Sequence, residues 1–177
     1  MKEYLLLTIK QMPCACLIPV PSYPETADWG PILWSILHGL AEKAGQGILK
    51  ADEIREWQKF IKITGDVLPC DVCRAHFKEF IKKNPPSQLT TSFTQSQINV
   101  WVKTWFWNLH NEVNTSRDIP IFEYDALTPT YSNVSLTDLL YRLTPVMKKA
   151  IQLNGVPFMT WTAWVSSFKM LRSVPAV

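Results

Sequence analysis

Glycine is scarce, with six residues in 177. That leaves no Gly-rich dinucleotide fingerprint and no phosphate-cradling loop. No apolar run approaches the roughly 20 residues of a membrane span. The apolar stretch Leu5 to Leu7 is short and soon interrupted by Lys10 and Gln11, so no secretory leader is expected. The net charge of +3 is spread along the chain without a basic cluster, which argues against nucleic acid as a partner. Internal repeats and low-complexity tracts are missing too. Cysteine is also sparse, and its four copies fall in two tight pairs, Cys14/Cys16 and Cys70/Cys73. Without a leader, that pattern points away from a secreted disulfide scaffold and toward metal binding or redox chemistry inside a cell.

What is present is helical periodicity and aromatic mass. Eight tryptophans suit a large interface, a planar ligand or plain core packing. A helix is expected from Asp28, as N-cap, to about Ala44, with Pro31 in its first turn. A second is expected over Ala51 to Ile63, broken by Gly65 and Asp66. A third begins at the Cys70 pair and ends near Asn84, and a fourth spans about Thr94 to Thr115. After a loop from Ser116 to Asn133, Ser135 caps a fifth that Asn154-Gly155 ends, and Pro157 opens a last one to about Arg172. The fold class is therefore all-α, with four helices and then a two-helix C-terminal extension. The domain reading is an irregular N-terminal arm over residues 1–28, a central helical domain over 29–128 and the extension over 129–177.

The chemistry centres on Leu68-Pro69-Cys70-Asp71-Val72-Cys73-Arg74. A Cys-x-x-Cys pair at a helix start sits where unpaired N–H groups and the helix dipole favour a thiolate. The spacing also lets the two sulfurs bond across one turn. Other readings of the same residues are half of a zinc site completed by Cys14 and Cys16 or by His76, ordinary buried thiols, or a thioredoxin-like motif. The thioredoxin-like setting needs a strand upstream, and the sequence there reads as helix. On the fourth helix His110 and Asn114 share a face. Beside Trp105 and Trp107, they suit a flat heteroaromatic ligand with hydrogen-bonding edges, or an amide-rich last turn.

Taken together, three motifs resemble the Erv/ALR family of FAD-linked sulfhydryl oxidases. Gly30-Pro31-Ile32-Leu33-Trp34-Ser35-Ile36-Leu37-His38 is similar to the family's first-helix motif, and Pro69-Cys70-x-x-Cys73 to its redox motif. Trp105 and His110-Asn111-x-Val113-Asn114 resemble its flavin-binding helix, with Pro120 and Phe122 in the segment that follows. The resemblance covers about Trp29 to Glu123. It implies a four-helix bundle cradling FAD, and a thiol oxidase that forms disulfides in protein substrates and reduces O2 to H2O2. Cys70 would exchange with incoming thiols and Cys73 would face the flavin. Gly30, Trp34, His38, Trp105, His110, Asn111, Val113 and Asn114 would bind the cofactor, and no metal is implied. Cys14 and Cys16 would form a shuttle pair, and the chain would pair as a homodimer through helices of the bundle.

The chain departs from the family pattern at Pro31 for an arginine, Asn108 for a histidine and Ile119 for a lysine. Arg117 or a lysine elsewhere is left to meet the diphosphate. Tyr124 stands where a structural cysteine often sits. This stripped pattern resembles large-DNA-virus members, implying a viral protein of the host cytoplasm or virion. The competing class is a non-enzymatic helical module that binds zinc or serves as a scaffold.

Overall fold

The computed structural model describes residues 22–47 and 49–173. Cys14 and Cys16 lie outside the described residues. Among these, seven α-helices form and no strand: α1 Thr26–Ala41, α2 Lys50–Val67, α3 Asp71–Lys83, α4 Gln95–Ser116, α5 Leu127–Tyr131, α6 Leu136–Gln152 and α7 Phe158–Arg172. No described helix is long and apolar enough to cross a membrane.

The all-helical expectation holds, with local corrections. α1 begins at Thr26, so Asp28 is not its cap but the third residue of its first turn. There Asp28 accepts the Glu25 N–H at 2.8 Å and donates its own N–H to the Glu25 carbonyl at 2.9 Å. That reciprocal pairing satisfies groups a helix start otherwise leaves open. Pro31 therefore lies inside the helix rather than in its first turn.

α2 does not break at Gly65 and Asp66 but runs on to Val67. Glycine in a helix interior costs ~1 kcal/mol against alanine. Here it clears room for α3, because a Cβ at Gly65 would lie 2.7 Å from the Phe77 ring. The expected loop 116–133 contains the short helix α5. The end of α6 is as expected, with Asn154 at a φ of 59° and the Gly155 N–H returning to the Ala150 carbonyl at 2.9 Å.

Helices α1 to α4 surround a core of Leu37, Trp57, Phe60, Ile61, Phe106 and their neighbours. α6 lies along α1 and α7 along α2. Trp164 and Phe168 of α7 belong to the same core cluster as the bundle residues. The last two helices therefore complete the hydrophobic core of their own chain.

Candidate functional site

Two chemical centres stand on this frame. The first is the head of α3. Cys70 is the N-cap, extended at φ −146° and ψ 118°, and its Sγ accepts the Cys73 N–H at 3.1 Å. The two cysteines form a disulfide with Cα atoms 5.1 Å apart, within the usual range. Both are half-buried, while Val72 between them is exposed. Arg74, which pattern reading did not single out, braces this turn. Its guanidinium donates to the Leu68 carbonyl, pairs with Asp71, and reaches the Gly155 carbonyl at 3.2 Å. His76 is exposed, and no group of three or more His, Cys, Asp or Glu side chains able to hold a metal exists among the described residues.

The second centre is a stack of flat rings between α1, α4 and α5. Trp34 and His110 lie face to face, with centroids 4.1 Å apart and planes 8° from parallel. His38 and His110 share a hydrogen bond of 2.9 Å between Nε2 and Nδ1. Tyr131 stacks on His38 at 4.7 Å, and Phe122 lies parallel to His110 at 6.2 Å. Trp34 and His38 meet because they are four apart on one helix face, and the fold brings His110 to them. Tyr131 carried no sequence signal. Phe122 belonged to the motif region but was not expected as a ring of the stack.

Asn111 and Asn114 organise this centre through the backbone. The Asn111 amide acts like a peptide group, donating to the Phe122 carbonyl at 3.0 Å and accepting the Phe122 N–H at 2.9 Å. Trp107 Nε1–H donates to the same carbonyl at 2.7 Å. The Asn114 side-chain amide donates to Asn111 Oδ1 at 3.3 Å, and the Asn114 backbone carbonyl accepts the Ile119 N–H at 2.9 Å. The polar last turns of α4 thus clamp the 119–122 segment and set Phe122 against His110.

The remaining sequence-marked residues are more dispersed. Trp105 is buried with Phe77, Phe80 and Phe106, and its Nε1–H donates to the Asn84 carbonyl at 2.9 Å. It is not among the stacked rings. Gly30 is buried, Val113 half-buried, and Arg117 exposed at the C-cap of α4.

Both histidines are held neutral. Burial, with the neighbouring His110 adding to it, lowers His38 from 6.5 to about 3. Burial alone lowers His110 from 6.5 to about 4. Neutral rings suit a shared hydrogen bond, in which one nitrogen donates and the other accepts. Below about pH 6.5 the unfolded chain binds protons that the folded chain refuses, so stability falls as pH drops toward about 4. The urea midpoint should therefore decline between pH 7 and pH 5, a range above ordinary carboxylate titration. His38→Gln should flatten that decline. An equal slope in the variant would show that the pair does not control it.

The sequence profile of the Erv1/Alr family matches residues 31–132. The chain is 29% identical over 93 residues to a protein named FAD-linked sulfhydryl oxidase ERV1 from Oryza sativa subsp. japonica, covering 52% of this chain and 43% of that one. It is 26% identical over 101 residues to the mitochondrial FAD-linked sulfhydryl oxidase ERV1 of Saccharomyces cerevisiae, covering 56% and 48%. The chain thus spans just under half the length of these curated relatives. No solved structure matches it. Because the family match takes in more than half of the 177 residues, together with the redox turn and the ring stack, the chain belongs to the Erv1/Alr family.

Proposed function

We propose that this chain is an FAD-linked thiol oxidase that forms disulfides in protein substrates, with Cys70–Cys73 as its redox pair and O2 as the final acceptor. The observation that carries this reading is the Cys70–Cys73 disulfide at the cap of α3, in a chain whose relatives are named for that activity.

One substrate thiolate attacks Cys70 Sγ. The Cys70–Cys73 bond breaks, and Cys73 leaves as a thiolate that the first turn of α3 stabilises. A second substrate thiolate then attacks the mixed disulfide. The substrate departs as a disulfide, Cys70 is freed as a thiolate, and two electrons have moved to the protein pair. Bound FAD would supply the route for those two electrons to O2, giving H2O2.

The residues present fit such a cofactor. Trp34, His110 and Phe122 are half-buried and would border the cofactor's flat rings, with buried His38 and Tyr131 stacked behind them, and the neutral histidines bring no charge to desolvate. Asn111 and Asn114 would serve by fixing Phe122, since their amides are already engaged with backbone and with each other. Arg117 is the cation at the end of α4 for the diphosphate, whereas Lys103 is taken by Glu42 at 2.8 Å.

Cys14 and Cys16 fit a shuttle that passes electrons from protein thiols to Cys70. The double change Cys14→Ser/Cys16→Ser should leave small-dithiol oxidation intact and slow oxidation of a reduced protein several-fold. Equal rates on both would make the pair idle. A homodimer would need a face other than those of α1 and α2 covered by α6 and α7. A single-chain mass in light scattering at micromolar concentration would exclude it. The experiment for the reading as a whole is oxygen uptake by purified protein given a small dithiol, with H2O2 measured. Zinc in stoichiometric amount with no turnover would favour the non-enzymatic module instead.

A further inference from the structure

Arg74 follows Cys73 directly, and its guanidinium gathers three acceptors from three places. It donates to the Leu68 carbonyl at the C-cap of α2, to the Asp71 carboxylate, and to the Gly155 carbonyl at 3.2 Å. These partners are not equal. The Asp71 side chain is 93% exposed, and an ion pair so open to water contributes little. The Arg74 side chain is only 22% exposed, so the two carbonyls do most to hold it. The bond to Leu68 closes a loop over residues 68–74 that contains both cysteines. The bond to Gly155 fixes that loop to the α6–α7 connection, outside the residues 31–132 that match the family. Gly155 is a firm anchor. Its N–H returns to the Ala150 carbonyl at 2.9 Å, Val156 beside it is buried, and a Cβ at Gly155 would fall 1.9 Å from the Tyr23 hydroxyl. One turn before Leu68, Thr64 accepts the Trp164 indole N–H at 2.9 Å, which docks α7 on the end of α2.

We propose that Arg74 is a positioning residue for the redox pair: by tying the 68–74 loop to Gly155 it keeps the Cys70 and Cys73 sulfurs together after reduction, and so sets the potential of the pair. This deepens the oxidase reading, in which the pair must close again after every turnover, and gives the C-terminal helices a part in that step. Reduction removes the covalent link between the sulfurs. What then holds Cys70 at the N-cap is the Cys73 N–H on its sulfur and the two carbonyl bonds of Arg74. Thiols held in place re-form a disulfide more readily than thiols free to separate, because their effective concentration is higher. The brace therefore favours the oxidised form and lowers the potential. Arginine suits the task, since its planar fork of donors meets several acceptors at once, whereas a lysine ammonium is a point charge on a flexible stem. Its charge acts in the opposite sense, because a cation favours thiolate and hence the reduced form. Brace and charge are thus told apart by sign.

The potential is measured on the purified chain carrying Cys14→Ser/Cys16→Ser, so that one cysteine pair titrates. It is equilibrated without oxygen in mixtures of reduced and oxidised dithiothreitol and trapped by alkylation. In that exchange the two protein thiols become a disulfide as oxidised dithiothreitol takes up their two electrons and two protons. Arg74→Gln should lower the equilibrium constant for closing about tenfold, the scale of one hydrogen bond to a charged group, which is a potential about 30 mV higher. Arg74→Lys should give a similar rise, because it keeps the charge and loses the fork. Gly155→Val changes nothing in the redox turn and drives a side chain against Tyr23. It should shift the potential the same way, and in combination with Arg74→Gln it should add less than its separate effect. Circular dichroism checks that each variant keeps its helices; if Gly155→Val does not, Arg74→Lys alone decides. The proposal is overturned if the potential of Arg74→Gln is unchanged or falls, or if Arg74→Lys restores the parental value. It is also overturned if folded Gly155→Val has the parental potential or its shift adds in full to that of Arg74→Gln. None of these measurements needs turnover. The expected shifts in a chain that takes up no oxygen with a dithiol would keep the brace and overturn the oxidase reading, a separate outcome.

Discussion

Changing either cysteine of the Cys70–Cys73 pair to serine should lower dithiol-dependent oxygen uptake by about 10³-fold or more, the scale at which loss of a nucleophile leaves only residual catalysis. The fold should survive. Cys70 is the N-cap of α3, and its sulfur accepts the Cys73 N–H. Serine is a preferred residue at that position, so Cys70→Ser keeps a cap while removing the sulfur. Cys73 is inside the first turn, where serine costs only a few tenths of a kcal/mol in helix propensity. The two variants should also differ from each other. The thiol left in Cys73→Ser is Cys70, assigned to exchange with substrate, and it should be alkylated faster than the Cys73 thiol left in Cys70→Ser. If the order is reversed, the roles are reversed. Turnover persisting in both variants would remove this pair from the chemistry altogether.

Trp164→Ala should be the most destabilising single change in the C-terminal helices. Trp164 is fully buried, with its ring 5.4 Å from Phe60 of α2 and stacked on Trp161 and Phe168 at 5.3 and 5.8 Å. Its Nε1–H donates to Thr64 Oγ1 at 2.9 Å, and Thr64 donates in turn to the Phe60 carbonyl at 2.7 Å. Removing a buried tryptophan costs ~3–5 kcal/mol. At this chain length that is a melting-temperature drop of about 10 °C. Trp164→Phe should cost less, chiefly the ~1 kcal/mol of the hydrogen bond and the mismatch in ring shape. A shift of only a degree or two in Trp164→Ala would mean that α7 is an appendage and contributes little to the core.

This part of the fold was only half legible in sequence. Ser135, Asn154-Gly155 and Pro157 marked both C-terminal helices, because caps and stops are local chemistry. Nothing local tells where a helix docks, so the Trp161/Trp164/Phe168 face could equally have joined a second subunit. Gly65 misled for a related reason. Its propensity argues for a break, whereas its lack of a side chain serves the approach of Phe77 from the next helix.

The site divides in the same way. Trp34 and His38, and His110 and Asn114, share helix faces that spacing alone reveals. Their meeting across the bundle came through family resemblance. What the Asn111 and Asn114 amides hold was not legible, since their partners are backbone groups of the 119–122 loop. Tyr131 was hidden in a stretch read as a loop, where no periodicity marks a buried ring. Arg74 carries no local signal, because its partner carbonyl at Gly155 lies far along the chain.

The central claim is that this bundle holds a flavin that takes electrons from the Cys70–Cys73 pair. The absorbance spectrum of protein purified without added cofactor tests it most directly. The account predicts a yellow protein whose flavin absorbance bleaches when a small dithiol is added without oxygen and returns when oxygen is admitted. In Cys70→Ser the colour should remain and the bleaching should be lost. A colourless protein that takes up no FAD on incubation would contradict the account.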